Sequence, residues 1–145
     1  YNREEIFCKF LEDAEDDVYW FCEPDFEIYQ MWPALKSDCA LLYRNDKVPV
    51  TPAWKMATKK ALPLFKDFRN EMHLKRKDWH GDSEAYTKVW ENMGCPTKKT
   101  NYRGVSVEFR DYNDYIKKRC LYSKNYIGNK KGELLAHGSI LKDTV

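Results

Sequence analysis

The stretch Val48-Pro49-Val50-Thr51-Pro52-Ala53-Trp54-Lys55-Met56-Ala57, continuing through Pro63 to Met72, decides the fold. Val48-Pro49-Val50 runs extended. Thr51 then reads as a helix cap with Pro52 at the first helical position, where its missing N–H costs nothing. Trp54, Ala57, Ala61, Phe65, Phe68 and Met72 follow as an apolar stripe at helical spacing. A proline inside a helix costs about 3 kcal/mol, so Pro63 predicts a kink or a break near Leu62, with the second part running to about Lys77.

Nearer the N-terminus, Asn2 caps a first helix with Glu5 at its third position. Phe7, Phe10, Leu11, Ala14, Val18, Phe21 and Cys22 form its apolar face, and Pro24 ends it. Phe26 to Trp32 is too short for periodicity to separate strand from helix, whereas Ala34 to Tyr43 reads as a short helix with Leu35, Cys39 and Leu42 on one side. Asp82 or Ser83 caps a helix carrying Tyr86, Val89, Trp90 and Met93, which stops at Gly94. Val105, Val107 and Phe109 alternate as in a half-buried strand within Tyr102 to Phe109. The tail near Leu134 to Leu141 or the segment Phe26 to Trp32 is expected to pair with it. Asp111 caps a last helix with Tyr112, Tyr115, Ile116 and Cys120 inward. The expectation is a mainly α domain of about five helices with one or two short strands, with a small α+β arrangement as the alternative.

At 145 residues with 43% hydrophobic and 33% charged content, the chain has the arithmetic of one soluble domain over residues 1–145. No apolar run approaches the roughly 20 residues of a membrane-spanning helix. Charge divides it: residues 1–47 carry 5 Lys and Arg against 12 Asp and Glu, and residues 48–145 carry 20 against 11. An acidic part (1–47), a basic helical part (48–122) and a loop-rich tail (123–145) follow, the tail punctuated by Gly128, Gly132 and Gly138. Five cysteines without framework spacing read as reduced thiols in an intracellular compartment, the cytoplasm or an organelle matrix. A start at Tyr1 fits removal of a mitochondrial presequence as well as a cut chain.

The three histidines, His73, His80 and His137, have no helical i, i+4 partner, so neither a metal site nor a cofactor is expected. Asp78-Trp79-His80-Gly81-Asp82 is the densest group of acid–base residues. Asp78, His80 and Asp82 are therefore the candidates for a hydrolase-like site, against the simpler reading of an aromatic under a helix cap. Glu23-Pro24-Asp25 with Glu27 lacks the lysine that carboxylate-cluster nucleases of the PD-(D/E)xK kind place after the second acid. These acids read as helix-end and surface groups.

Tyr86-Thr87-Lys88-Val89-Trp90-Glu91-Asn92-Met93, Cys95, Tyr102-Arg103-Gly104-Val105-Ser106-Val107 and the segment 109–115 resemble a stretch in phage-borne HNH homing endonucleases. Those proteins carry a W-x-x-M helix, a Cys, a Y-x-G-V-x-V strand and an aromatic helix. The resemblance implies a nucleic-acid-binding remnant. The family's His-Asn-His constellation has no counterpart, since Asn113 and Asn125 lack suitably placed histidines.

Five Trp, ten Tyr and seven Phe in a chain of this size point first to a non-enzymatic subunit docked into a larger assembly through aromatic and charged surfaces. The alternative is nucleic-acid binding by the basic region after Val48, with Lys98, Lys99, Arg103, Lys117, Lys118 and Arg119 on the phosphates. The acid–base site comes third.

Overall fold

Apolar residues buried from both sides, rather than a helical stripe, organise the middle of this chain. The computed structural model describes residues 3–23, 26–28, 30–75 and 81–122. In chain order these form α1 (Arg3–Asp13), β1 (Tyr19–Cys22), β2 (Phe26–Ile28), β3 (Cys39–Tyr43), β4 (Val50–Ala57), a 3-10 turn (Lys59–Ala61), α2 (Leu62–Lys75), α3 (Gly81–Asn92), β5 (Lys99–Tyr102), β6 (Val105–Asp111), a π-helical segment (Asn113–Arg119) and β7 (Cys120–Tyr122). Strands β1-β4-β3-β6-β5 make a five-stranded mixed sheet, and β2 and β7 pair as a separate ribbon. The β3–β6 pair is parallel and all others are antiparallel. The chain is thus α+β with a substantial sheet, not mainly α.

The deciding stretch is β4, next to the sheet centre and buried over its whole length. Proline belongs at an edge or a bulge in a sheet, because it has no N–H for the ladder. Here it sits at a bulge: Leu41 pairs with Lys55 but Leu42 with Thr51, so Pro52, Ala53 and Trp54 have no partner on β3. The Thr51 hydroxyl accepts the Ala53 N–H inside this bulge, where a helix cap was expected.

Three further helix expectations are corrected. The first helix ends at Asp13, and Tyr19–Cys22 becomes an edge strand. Ala34 to Tyr43 is not helical; its second half is β3, whose Cys39 and Leu41 enter one core cluster while Ala40 and Leu42 enter the other. A strand buried on both faces reads as a continuous apolar run, which spacing alone does not distinguish from a helix. The helix from Asp111 is instead the end of β6 followed by the π-helical segment.

Other readings hold. Helix α2 begins at Leu62 with Pro63 in its first turn, α3 stops before Gly94 at φ +92°, and Val105, Val107 and Phe109 alternate on β6, although the strand expected from Tyr102 is cut by a turn at Arg103 and Gly104 that leaves Tyr102 at the end of β5. The partners of β6 are β3 and β5 rather than Phe26 to Trp32, since Phe26–Ile28 pairs with β7. The tail 123–145, including Leu134 to Leu141, lies outside the described residues.

Helix α1 packs on α2, α2 on α3 and α3 on β4. Phe7, Leu11, Leu64, Phe65, Phe68, Tyr86 and Val89 from these helices meet Leu41, Val105 and Val107 of the sheet in one cluster. Trp32, Ala40, Leu42, Trp54, Met56 and Tyr115 form a second one. Arg110 ties that side down by donating to the carbonyls of Pro33 and Ala34 and to the Tyr115 hydroxyl.

Candidate functional site

Two features of chemical interest emerge, one inside the molecule and one at its border. Inside, β4 turns Lys55 toward the helices, where its side chain is 1% exposed. A bare ammonium there would be costly, because desolvation disfavours charge. Its Nζ donates to Glu4 Oε1 of α1 at 2.6 Å and to the Tyr86 hydroxyl of α3 at 2.7 Å. Tyr86 donates in turn to Glu4 Oε1 at 2.8 Å. The rings of Phe21, Tyr86, Phe7 and Phe65 surround the ammonium at 4.7, 5.1, 5.3 and 5.8 Å from their centroids.

Burial moves these groups in opposite directions. It lowers the Lys55 pKa below the usual lysine value, with Glu4 opposing the shift, and it holds the Tyr86 phenol well above its ordinary range, with Glu4 adding to the shift. Arg3 extends the network to the surface by pairing with Glu23 at 2.7 Å and with Asp82. A lysine of lowered pKa beside a phenol is proton-transfer chemistry, but that work requires contact with a substrate. Here four rings and two buried partners enclose it, so the triad joins α1, β4 and α3 as a polar pin.

The border feature is the outer edge of β1. Trp20 is 48% exposed, and Val18, which precedes β1, is also exposed. Trp20 rests edge-on against Trp32, which contacts Trp54, which contacts Tyr115, with centroids 4.9, 5.3 and 4.9 Å apart. The exposed ring is therefore backed by a packed aromatic row. Glu12, Asp13, Glu15, Asp16 and Asp17 precede the strand, all exposed.

A cleft of about 990 Å³ also opens between α2, α3 and the β3–β4 connection, lined by Lys47, Val48, Glu71, Leu74, Ser83, Glu84, Thr87, Lys88 and Glu91. Its mixed charges converge on no single chemistry.

Of the expected acid–base group, Asp78 and His80 lie outside the described residues. Asp82 lies in the first turn of α3, which already begins at Gly81, so neither Asp82 nor Ser83 is the cap expected; its Oδ1 accepts the Ser83 N–H and its Oδ2 holds Arg3. Among the expected phosphate contacts, Lys98 and Lys99 are exposed on and beside β5. Arg103 pairs with Asp67 at 2.7 Å; Lys118 and Arg119 pair with Asp114 at 3.8 and 3.0 Å. The Lys117 side chain lies outside the described residues. Among the described residues no group of His, Cys, Asp and Glu is arranged to hold a metal ion, and no helix is long and apolar enough to cross a membrane.

Sequence reasoning missed Lys55 and Glu4. The available signal was a single lysine between Trp54 and Met56 in an apolar stretch. Comparison with family models, with curated proteins and with solved structures returns no match.

Proposed function

We propose that this chain is a non-enzymatic interaction domain, a subunit of a larger assembly, that docks through the outer edge of β1. The observation that carries this is Trp20, a half-exposed indole on an edge strand, held in place from behind by the Trp32–Trp54–Tyr115 row. Aromatic anchors that are already rigid lose little entropy on binding, and tryptophan is prominent among residues that dominate interface energies. An edge strand adds main-chain donors and acceptors for an incoming strand. The nucleic-acid reading receives less support, because Arg103, Lys118 and Arg119 already face carboxylates.

Cys8, Cys39 and Cys95 are free thiols, which fits a reducing compartment, the cytoplasm or an organelle matrix.

A photo-reactive phenylalanine analogue at position 20, compared with one at the exposed Asn70 of α2, tests the proposal in cells of the source organism. Protein adducts confined to position 20 are expected. Equal adduct formation at both positions, or adducts with nucleic acid alone, would overturn it.

A further inference from the structure

Among the described residues the sheet has two outer strands, β1 and β5, and their main chains are in complementary phase. On the β1 side, the Glu23 N–H bonds the Ala53 carbonyl, one step beyond the Cys22–Trp54 pair. Bonded pairs alternate along an antiparallel ladder, so Phe21 and Tyr19 face β4 and the N–H and C=O of Trp20 point away from it. On the β5 side, the Phe109 N–H bonds the Lys98 carbonyl, which by the same alternation points the main-chain groups of Lys99 and Asn101 outward.

The registers place these outward groups at the same height. Trp20 is level with Met56, Met56 with Ala40, Ala40 with Glu108, and Glu108 with Lys99. Following strand directions across the sheet, β5 runs antiparallel to β1. A second copy laid beside the first in the same orientation thus brings its Lys99 opposite Trp20 as a hydrogen-bonded antiparallel pair, with both side chains on the same face. Lys99 then lies beside an indole, a favourable place for an ammonium. Arg103, 60% exposed while paired with Asp67, comes level with the exposed Asp16 and Asp17.

Charge selects this arrangement over a symmetric one. Two β1 edges would bring the acidic runs of Glu15, Asp16 and Asp17 near each other, and two β5 edges would bring Lys98 and Lys99 together. Edge lysines repel a like edge and attract an acidic one.

We infer that copies of this chain associate head to tail, the β1 edge of one against the β5 edge of the next, extending the sheet across molecules. The inference rests on the docking reading of β1 and names its partner as a second copy. Each edge strand has four residues, so a single contact is weak and concentration-dependent. Because the two surfaces differ, the contact does not close at a dimer and adds copies in an open row unless the accumulated rotation closes a ring.

Sedimentation velocity on the full chain at low salt tests it, with two charge variants. The wild type is expected to grow in mass with concentration and to fall back toward monomer as salt rises. Asp16→Lys with Asp17→Lys makes both edges basic, and Lys98→Glu with Lys99→Glu makes both acidic. Each variant alone is expected to associate on the order of tenfold more weakly. An equimolar mixture of the two recovers association, because each now meets an edge of opposite sign. Such recovery also shows that both variants fold. A wild type that stays monomeric at its highest soluble concentration, variants that associate as the wild type does, or a mixture that fails to recover each overturns the inference. If the wild type is monomeric yet position 20 still crosslinks a different protein, the self-association fails and the docking reading survives. If neither occurs, both fail.

Discussion

The Lys55 ammonium lies 2.6 Å from Glu4 Oε1, and both side chains are 1% exposed. Removing one partner leaves the other charge buried and uncompensated. Lys55→Met is therefore expected to cost about 3–5 kcal/mol of unfolding free energy. Replacing the whole triad, with Glu4→Met, Lys55→Met and Tyr86→Phe together, removes every group that needs a partner and should cost much less than the sum of the single changes. Urea unfolding of the singles and the triple checks this; additive losses would show that the three groups do not act as a unit.

High pH is expected to unfold the chain through Tyr86 and Cys39. Burial raises both, from 10.0 and 9.0, so the folded chain keeps protons that the unfolded chain releases. Their contribution is fully present below those ordinary values and is lost as pH rises beyond them. Lys55, lowered from 10.5, acts oppositely between its folded and unfolded values and adds no slope above the latter. Above about pH 10.5, unfolding free energy should drop by about 1 kcal/mol per pH unit for each raised group. Tyr86→Phe should remove its share of that slope. A flat profile up to pH 12 would contradict the burial of these two groups.

Alternation was legible where a strand is half-buried, as at Val105, Val107 and Phe109. It failed at Cys39 to Leu42, where side chains enter core on both faces and apolar residues are required at every position. Proline was informative at position 63, where it starts α2, and misleading at position 52, where a bulge accommodates it. The difference lies in the strand beside it, which local sequence does not display. The same holds for the buried triad: Lys55 finds partners 51 and 31 residues away, and no spacing rule reaches that far. The position of the exposed carboxylates Glu12 to Asp17 beside a strand edge became visible only once α1 ended at Asp13.

Tryptophans at positions 20 and 54 are expected to separate docking from stability. Trp54 is fully buried, and Trp54→Ala should cost about 3–5 kcal/mol by leaving a cavity in the second core cluster. Trp20→Asp removes a half-buried ring packed on Trp32 and should cost less than that, about 1–3 kcal/mol, leaving the chain folded while abolishing crosslinks formed from an adjacent β1 site such as Val18. Thermal unfolding together with crosslinking yields decide it. Retained crosslinking in a folded Trp20→Asp chain would argue against the anchor.

Thiol accessibility should follow burial. Cys95 is exposed after the turn at Gly94, whereas Cys8 and Cys39 are buried, and burial raises Cys8 to about 11. A thiol-specific reagent at neutral pH is expected to label Cys95 rapidly and Cys8 and Cys39 only as the chain opens. Peptide mapping after a short pulse reads this directly. Early labelling of Cys39 would be inconsistent with its place in the central sheet.

Amide hydrogen exchange at Trp20 in the dilute full chain tests docking through β1, since docking requires an edge whose main chain is open. The outward-facing Trp20 amide should exchange orders of magnitude faster than the amides of Phe21 and Lys55, which face each other across β1 and β4, and should slow when the partner is bound. A Trp20 amide already as protected as Phe21 in the dilute chain would mean that the edge is covered within the molecule, and would contradict docking through β1.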